Sequence, residues 1–381
     1  MLSAGGGPGR NSGGAGKGND MASVLRVGII GANLQGSWGV GAHLPALAAL
    51  DTVRAVAVAT TREETARATA DAFGIPHAFG DPHALIAHPD VDAVAVCVRV
   101  PAHRDLVLAA IAAGKHVYCE WPLARDTAEA RDLLSAARAA GVVHMVGLQS
   151  RSAPVLAHAR ALIASGAIGT PRSAALTHSS DWISAVYPGT EYLQDRASGA
   201  HFLSIPGGHS VDALTWLLGG DFARLQAVVQ TGLRDLTAMA TGAPLTRTSA
   251  DQVLVAGVLE NGVVASVRLS GASSPGTGVW LEVSGDSGDL VIQGPPGARG
   301  IQMTDLTLYR TSATGELEPV EIPADAWRTP ATLRNNPPMN VGAAWLHFAD
   351  AVARGTPATP GFAEAVRLHE LLDGIEAAAR S

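Results

Sequence analysis

From residue 24 onward, short runs of branched apolar residues alternate with segments whose apolar positions recur every three or four residues. The first run covers 24–30, a glycine-rich turn covers 31–41, a helical segment covers 44–50 and a second apolar run covers 53–59. This order of strand, glycine turn, helix and strand is one βαβ unit. We therefore expect a parallel sheet with helices on its faces to begin the fold.

The alternation continues to about residue 148. Further helices are predicted at 63–73, 84–87, 106–113 and 128–140, and further strands at 78–79, 91–98, 116–119 and 142–147. The strand at 91–98 is apolar at nearly every position, as a strand covered on both faces requires. The first domain is thus predicted to be a doubly wound α/β domain over residues 21–148.

The pattern changes near residue 149. After one helix at 155–165, long alternating segments are predicted to be strands at 172–179, 223–231, 252–259, 263–270, 279–284, 290–293 and 306–310. Asn261-Gly262 is a hairpin turn signal between two of them. Two helices, 341–354 and 362–379, end the chain. Residues 149–381 are therefore predicted to form an α+β domain with a mainly antiparallel open sheet.

Composition limits the function classes. The chain has 381 residues, 47% hydrophobic and 16% charged, with a formal charge of −7 and no basic tract. A broad nucleic-acid or anionic-membrane surface is not expected, and small molecules are the better partners. Cys97 and Cys119 lie in separate apolar runs, so a disulfide scaffold is not expected and a cytoplasmic location fits. Residues 1–20, rich in glycine, are expected to be a flexible leader.

A glycine-rich turn follows the first predicted strand. Gly31 and Gly36 occupy the first and third glycine positions of G-x-G-x-x-G, and Asn33 occupies the middle one. Such a turn lets backbone N–H groups approach a pyrophosphate at a helix N-terminus. Asn tolerates left-handed backbone angles, so the turn is retained with less room for phosphate. Its place in the first βαβ unit favours a nucleotide site, including Leu34 and Trp38, over a plain tight turn.

The end of the second predicted strand bears on the choice of cofactor. NAD sites usually carry Asp or Glu there for the ribose hydroxyl, whereas this chain has Thr60, Thr61 and Arg62. Hydroxyls and a guanidinium suit a 2′-phosphate, so we expect NADP, with NAD as the alternative. In the other interpretation, Arg62 is a solvated charge at a helix start.

The run at 114–124, which reads Gly-Lys-His-Val-Tyr-Cys-Glu-Trp-Pro-Leu-Ala, resembles the G-K-H-V-x-x-E-K-P-L-A signature of the Gfo/Idh/MocA oxidoreductases. Further agreement occurs at 43–47, 147–151 and 208–212. The resemblance implies a Rossmann domain, a C-terminal open sheet, homodimers or homotetramers joined through that sheet, and a cis bond before Pro122. The expected cofactor contacts also include Val98, Arg99, Pro101, His103, Glu120, Trp121, Pro122 and Gln149.

Two departures from the family pattern affect catalysis. Family dehydrogenases place a proton-exchanging lysine where this chain has Trp121, whose indole N–H can orient a substrate but cannot act as a base. The family Asp four residues before His209 is Ile205 here. These departures resemble the branch that contains the yeast galactose-regulon repressor, as do the lengthened 31–43 loop and Arg151. A repressor of that kind binds a dinucleotide as a signal, without turnover.

His209 could exchange the proton with the substrate hydroxyl, because imidazole titrates near neutrality and a Gly-Gly-His turn would expose it at the cleft. In the alternative, His209 is structural and bonded to Asp212. Tyr187, Tyr192 and His201 lie in a segment that faces the nicotinamide in the family. They could line the substrate pocket or donate a proton to the substrate. The expected substrate contacts are Trp121, Gln149, Arg151, Tyr187 and Asp212, and no metal site is expected.

Three functions remain open at this point. The first is an NADP-dependent oxidoreductase that acts on a sugar-like or other small carbonyl or hydroxyl compound, with His209 in place of the lysine. The second is a dinucleotide-binding sensor or regulator without turnover. The third is a redox-assisted lyase or glycoside-cleaving enzyme that recycles its cofactor.

Overall fold

A computed structural model describes residues 24–271, 274, 276–312, 314–334 and 337–380. The predicted leader at 1–20 lies outside these residues. None of the helices within the described ranges is long and apolar enough to cross a membrane.

The first sheet is parallel and contains six strands, as the alternation predicted. They are β1 (Leu25–Ile30), β2 (Val53–Ala59), β3 (His77–Phe79), β4 (Ala93–Val96), β5 (His116–Glu120) and β6 (His144–Gly147). Their order is β3-β2-β1-β4-β5-β6. Because the chain reverses direction across the sheet between β1 and β4, a crevice opens at the carboxyl ends of these strands. The predicted doubly wound Rossmann domain is confirmed.

Helices cover both faces of this sheet. They are α1 (Leu44–Ala48), α2 (Glu63–Phe73), α3 (Pro82–Ile86), α4 (His103–Ala112) and α5 (Thr127–Ala140), with a π-helical turn at Gly39–His43 before α1. Local sequence sets their ends. The carboxylate of Asp126 accepts the backbone N–H of Glu129 and begins α5, and Gly141 ends it in the left-handed conformation.

The second sheet has eight strands, and the predicted mainly antiparallel α+β domain is confirmed. These strands are β7 (Pro171–Ser179), β8 (Phe222–Gln230), β11 (Gln252–Leu259), β12 (Val264–Ser270), β13 (Val279–Gly285), β14 (Asp289–Gln293), β15 (Thr307–Thr311) and β16 (Leu317–Pro319). They are ordered β16-β15-β14-β13-β7-β12-β11-β8, and only the β7–β12 pair among them is parallel. A separate hairpin, which the sequence did not signal, joins β9 (Asp235–Thr237) to β10 (Pro244–Thr246).

Four helices accompany the second half of the chain: α6 (Pro154–Ala164), α7 (Gly208–Leu218), α8 (Pro337–Arg354) and α9 (Phe362–Ala378). Although α8 follows the second sheet in sequence, it packs on the first domain. Its Trp345 and Phe348 share a buried cluster with Val27 and Ile29 of β1. The last part of the chain therefore packs against the first domain and supports the strand at which its crevice opens.

Candidate functional site

A cavity of about 280 Å³ lies at the carboxyl ends of β4, β5 and β6, where α7 and the loop after β14 approach the first domain. The first domain and the segment after β6 supply Trp38, Cys97, Val98, Arg99, Val100, His103, Glu120, Trp121, Pro122 and Gln149. The second domain supplies Trp182, Tyr192, Ala200, Ile205, His209, Arg299, Gln302 and Met303. The cavity is therefore a site at the crevice of a doubly wound sheet, where ligands bind in such folds.

In the turn after β1, the backbone lies close to the backbone segment that follows β4. Gly31 has φ +97°, and a Cβ at this position would lie 2.3 Å from the carbonyl oxygen of Cys97. The Asn33 side chain turns back onto its own loop, because its Oδ1 accepts the N–H of Gln35 at 3.1 Å. Gly36 has φ +103° with open space around it. The loop therefore uses the left-handed backbone conformation at both of these glycines.

The end of β2 carries no acidic side chain. The hydroxyl of Thr60 is nine-tenths buried and donates to the carbonyl oxygen of Arg62 at 2.8 Å. Thr61 and Arg62 are exposed, and Arg62 forms no ion pair with another described residue. The guanidinium is thus available to a ligand at the edge of the crevice.

A hydrogen-bonded chain runs from α8 into the cavity through Glu120. The indole N–H of Trp345 donates to Nδ1 of His43 at 3.1 Å, so the hydrogen of that imidazole lies on Nε2. His43 Nε2 then donates to one oxygen of Glu120 at 2.8 Å, and the amide nitrogen of Gln149 donates to the other at 2.6 Å. The Oε1 of Gln149 is buried, and none of the described residues donates a hydrogen bond to it within normal geometry.

Trp121 is a wall of the cavity. Its bond to Pro122 is cis, as expected. The indole N–H donates to the carbonyl oxygen of Ser204 at 2.8 Å, and the side chain is 5% exposed. The expectation that this N–H orients a substrate is therefore not met, because its single hydrogen is already engaged.

His209 is a buried neutral imidazole. It lies in the first turn of α7 and is 3% exposed, so the expectation of a turn that exposes it was wrong. Burial lowers the pKa of His209 to about 3. Among the described residues, none forms a hydrogen bond with its Nδ1, and the carboxylate of Asp212 pairs with Arg151 instead. The ring therefore lines the cavity with an unsatisfied nitrogen.

Tyr192 lies beneath a guanidinium at the opposite wall. The Arg99 guanidinium carbon is 4.9 Å from the centre of the Tyr192 ring, and Arg99 also donates to the carbonyl oxygen of Gly189 at 3.0 Å. Burial raises the pKa of Tyr192, and the positive charge of Arg99 opposes this shift. Tyr192 is thus a neutral phenol that can donate a hydrogen bond.

His103 holds two loops of the cavity together. Its Nδ1 lies 3.0 Å from the carbonyl oxygen of Pro122, and its Nε2 lies 3.0 Å from that of Val98. Burial lowers the pKa of His103, so the ring is neutral and donates to one of the two oxygens at a time.

Two family models match the chain. Residues 25–148 match the oxidoreductase family Gfo/Idh/MocA with its NAD-binding Rossmann fold, and residues 154–294 match the C-terminal domain of Gal80p. The dehydrogenase aclE of Aspergillus oryzae is 32% identical over 251 residues, covering 63% of this chain and 67% of that protein. The chain belongs to the Gfo/Idh/MocA oxidoreductase family.

Within the Gfo/Idh/MocA family, the chain is similar to both regulators and sugar dehydrogenases. The galactose/lactose metabolism regulatory protein GAL80 of Kluyveromyces lactis is 28% identical over 309 residues, which cover 75% of this chain and 66% of GAL80. A structure of levoglucosan dehydrogenase in complex with NADH and levoglucosan is 26% identical, with a TM-score of 0.80 over 94% of this chain and 97% of that chain. The predicted position near the Gal80 branch is confirmed.

Four of the residues expected to bind substrate or catalyse lie outside the cavity of this Gfo/Idh/MocA protein. Arg151 and Asp212 form a buried bidentate ion pair, with Arg151 Nε 2.9 Å from Asp212 Oδ2, so each satisfies the other. Tyr187 is 52% exposed. His201 lines a separate pocket behind Trp121. Half of the expected cofactor contacts line the cavity: Trp38, Val98, Arg99, His103, Glu120, Trp121, Pro122 and Gln149. The others do not line it: Gly31, Asn33, Leu34, Gly36, Thr60, Thr61, Arg62 and Pro101.

The second domain contributes cavity residues that the sequence did not reveal. Arg299, Gln302 and Met303 come from the irregular segment after β14, and Trp182 follows the end of β7. No motif marks them. Only the position of polar and aromatic residues directly after strands could have drawn attention to these loops.

One group of possible metal ligands lies together in the part of the chain that the structure describes: His77, His88 and Asp90. It is remote from the cavity, and Arg26 already pairs with Asp90 at 3.0 Å. The guanidinium competes with a cation for that carboxylate.

The buried histidines predict acid sensitivity. Burial lowers the pKa of His201 and His369 to about 4, and that of His209 to about 3. The unfolded chain takes up protons at these sites below pH ~6.5 while the folded protein does not. We therefore expect the contribution of each histidine to the free energy of unfolding to be fully present above pH ~6.5. This contribution should fall by about 1.4 kcal/mol per histidine per pH unit as the pH decreases toward 4. Urea unfolding at pH 7, 6 and 5 measures this slope, and a flat profile would contradict the assignment.

Proposed function

We propose that the protein is an NADP-dependent oxidoreductase that acts on a small carbonyl or hydroxyl compound, sugar-like or another polyol or ketone. The main support is that four side chains lining one cavity keep a buried polar atom without a hydrogen-bond partner among the described residues: Trp38 Nε1, Gln149 Oε1, His209 Nδ1 and Gln302 Oε1. Buried polar groups are normally paired, so unpaired ones concentrated in one cavity favour a polar ligand there.

The residues on the first-domain side fit a dinucleotide. The absence of a Cβ at Gly31 keeps the loop against Cys97. The N–H groups of Asn33 and Gln35 are engaged within the loop, so a pyrophosphate would use the neighbouring ones of Leu34 and Gly36. The unpartnered Trp38 indole and Gln149 amide oxygen suit polar groups on the ribose and carboxamide. When bound, the nicotinamide would supply or accept the hydride.

On the second-domain side, the proposed proton partner is His209. As a neutral imidazole it can accept a hydrogen bond from a substrate hydroxyl and take its proton as hydride leaves the carbon. Tyr192 can donate a hydrogen bond to the same substrate oxygen or to a neighbouring one. Trp121 excludes water from this side, since its polar atom is turned to Ser204.

Replacing His209 by asparagine tests this role. Asparagine can still form a hydrogen bond but cannot carry the proton, so we expect kcat to fall by about 100-fold or more while KM changes little. The low pKa of His209 also predicts that kcat/KM for alcohol oxidation stays flat from pH 8 to below pH 5, without a limb near 6.5.

The matched control is Tyr187→Phe, at an exposed tyrosine outside the cavity, for which turnover should be unchanged. Unchanged turnover in His209→Asn would remove the residue from the mechanism.

The proposed preference for NADP depends on Arg62. In Arg62→Ala we expect NADPH to bind about 10-fold more weakly and NADH to bind as before, because a charge-assisted hydrogen bond to the 2′-phosphate is lost. Arg67→Ala is the control, since Arg67 lies on α2, which begins directly after Arg62, but pairs with Glu63 at 2.9 Å. Tighter binding of NADH than NADPH by the unaltered protein would refute the preference.

A regulator without turnover is the second candidate. It is favoured by Trp121, which leaves the position of the family lysine without a base, and by the match of residues 154–294 to the Gal80p C-terminal domain. The discriminating measurement mixes the protein with NADPH and a panel of ketones, keto-sugars and imines. Binding of NADPH without any oxidation across the panel would favour the regulator, and no binding of either nucleotide would exclude both candidates.

We also propose homodimers or homotetramers joined through the open face of the second sheet. Val228 and Leu254 are direct cross-strand neighbours on β8 and β11, and Val264 lies on the same face of β12. All three are about half exposed. Adjacent exposed apolar residues on a sheet face favour an interface. Sedimentation of the purified protein tests the assembly.

A further inference from the structure

A second pocket lies directly behind Trp121. It has a volume of about 320 Å³ and is enclosed by the start of α5, the 196–204 segment and one face of α9. It is polar over much of its surface, with apolar contributions from Leu203 and Leu372. The size is within the range of small-molecule sites.

Two buried imidazoles line this pocket, and each has a ring nitrogen that forms no hydrogen bond within the part of the chain that the structure describes. These atoms are Nδ1 of His201 and Nε2 of His369. Both side chains are 7% exposed. Burial lowers the pKa of each to about 4, so both rings are neutral at physiological pH and each can donate or accept a hydrogen bond. Neither ring takes part in the chemistry of the central cavity.

The charges around the pocket indicate which ligand fits. Arg196 lies against Glu376, and Arg125 Nε donates to Glu129 at 2.9 Å, so both guanidinium groups are already balanced. Asp126 and Asp373 add carboxylates at the rim. Because the arginines are paired, these carboxylates leave the pocket with a net negative charge that would repel an anion. A neutral molecule with several hydroxyl groups can use donors and acceptors alike and place its C–H face on the leucines.

The pocket is physically connected to the central cavity. The His369 ring centre is 4.7 Å from that of Trp121, and Ser204, which lines the pocket, accepts the Trp121 N–H at 2.8 Å. A molecule that reorients His369 or shifts Ser204 must therefore change the contacts of the wall shared with the central cavity.

We propose that this pocket is an effector site for a neutral polyhydroxylated small molecule, whose binding is coupled through Trp121 to the binding of the dinucleotide. The site itself does not depend on the proposed function, whereas the coupling does. Reciprocity requires that such a molecule and the dinucleotide change each other's affinity by the same factor.

Calorimetric titration of the full chain without cofactor tests the site. The probes are myo-inositol and D-glucose, with D-glucuronate as the anionic analogue. We expect at least one neutral probe to bind and D-glucuronate to bind at least about 10-fold more weakly, a difference of ~1.4 kcal/mol, because its carboxylate is repelled by those of the pocket. No heat with either neutral probe, or equal binding of D-glucuronate, would overturn the proposal.

Variants locate the binding. His369→Leu should abolish binding of the neutral probe, and Glu376→Gln, at the rim of the pocket, should weaken it even if the first variant folds poorly. Gln302→Leu, in the central cavity, is the matched control and should leave it unchanged. Loss of binding in Gln302→Leu alone would place the probe in the central cavity and refute the proposal.

The coupling is measured separately by repeating the titration with saturating NADPH. The neutral probe's affinity should change in the unaltered protein and should not change in Trp121→Phe, which has a smaller aromatic ring and lacks the N–H that Ser204 accepts. If NADPH binds and the affinity for the neutral probe is unchanged, the coupling is refuted. If NADPH does not bind at all, the proposed function and the coupling are both refuted. The existence of the effector site is then decided by the titrations without cofactor.

Discussion

Replacing Arg247 by leucine is expected to lower the free energy of unfolding by about 3–5 kcal/mol, because it leaves a buried carboxylate without its counter-charge. Both side chains of the Arg247–Asp251 pair are fully buried, at a distance of 2.9 Å. Arg247 also donates to Gln194 Oε1 at 2.7 Å and to the carbonyl oxygen of Ile183. The arginine thus fixes the segment that carries Tyr192 to the start of β11.

The matched control is Arg310→Leu. Arg310 pairs with Glu318 at 3.3 Å, but both side chains are at least half exposed, so the loss should be below about 1 kcal/mol. The double variant Arg247→Leu/Asp251→Leu should recover much of the lost stability, since it removes both charges together. Denaturant unfolding measures all three, and equal small losses in the two single variants would contradict the burial argument.

The order of elements followed from sequence because local signals and tertiary packing agree in most of the chain. The helix at Glu63–Phe73 and the strand at Gln252–Leu259 have the predicted bounds. Apolar runs covered on both faces identified the parallel strands, and alternating residues identified the second sheet. Where nearly every residue of a helix is buried, as in Gly208–Leu218, no period distinguishes it, and the sequence indicated only a Gly-Gly-His turn at its start.

The first-domain half of the site was predicted from sequence, whereas the second-domain half was not. Strand ends at one edge of a parallel sheet must meet, so Arg99, Glu120 and Gln149 could be placed together. No such rule places the 299–303 loop against them. Sequence also cannot show which hydrogen-bond donors are already engaged, and this is why Trp121 and Arg151 were expected to contact substrate.

Both halves of the site depend on buried neutral or compensated polar groups. Glu120 is held by His43 and Gln149, and Arg151 by Asp212, while His209 remains without a partner. The contrast matters because an unsatisfied buried group destabilises the empty protein and is relieved when a ligand pairs with it. The cavity is therefore arranged to gain stability when it is filled.

Gly31→Ala is expected to weaken dinucleotide binding by about 100-fold or more, equivalent to ~2.7 kcal/mol, because the loop must move away from β4. The new Cβ would lie 2.3 Å from the Cys97 carbonyl oxygen, which belongs to the backbone and cannot rotate aside. In addition, φ +97° costs a non-glycine residue about 1–3 kcal/mol. Calorimetry with NADPH and NADH measures the affinity.

Gly36→Ala separates the two effects within the same loop. Gly36 has φ +103°, but no atom lies within 4 Å of the added Cβ, so this variant introduces backbone strain without a collision. We expect both variants to lose similar stability from strain, and Gly31→Ala to lose much more affinity. If the two variants bound the nucleotides equally well, the contact between Gly31 and Cys97 would not be what shapes the loop for a pyrophosphate.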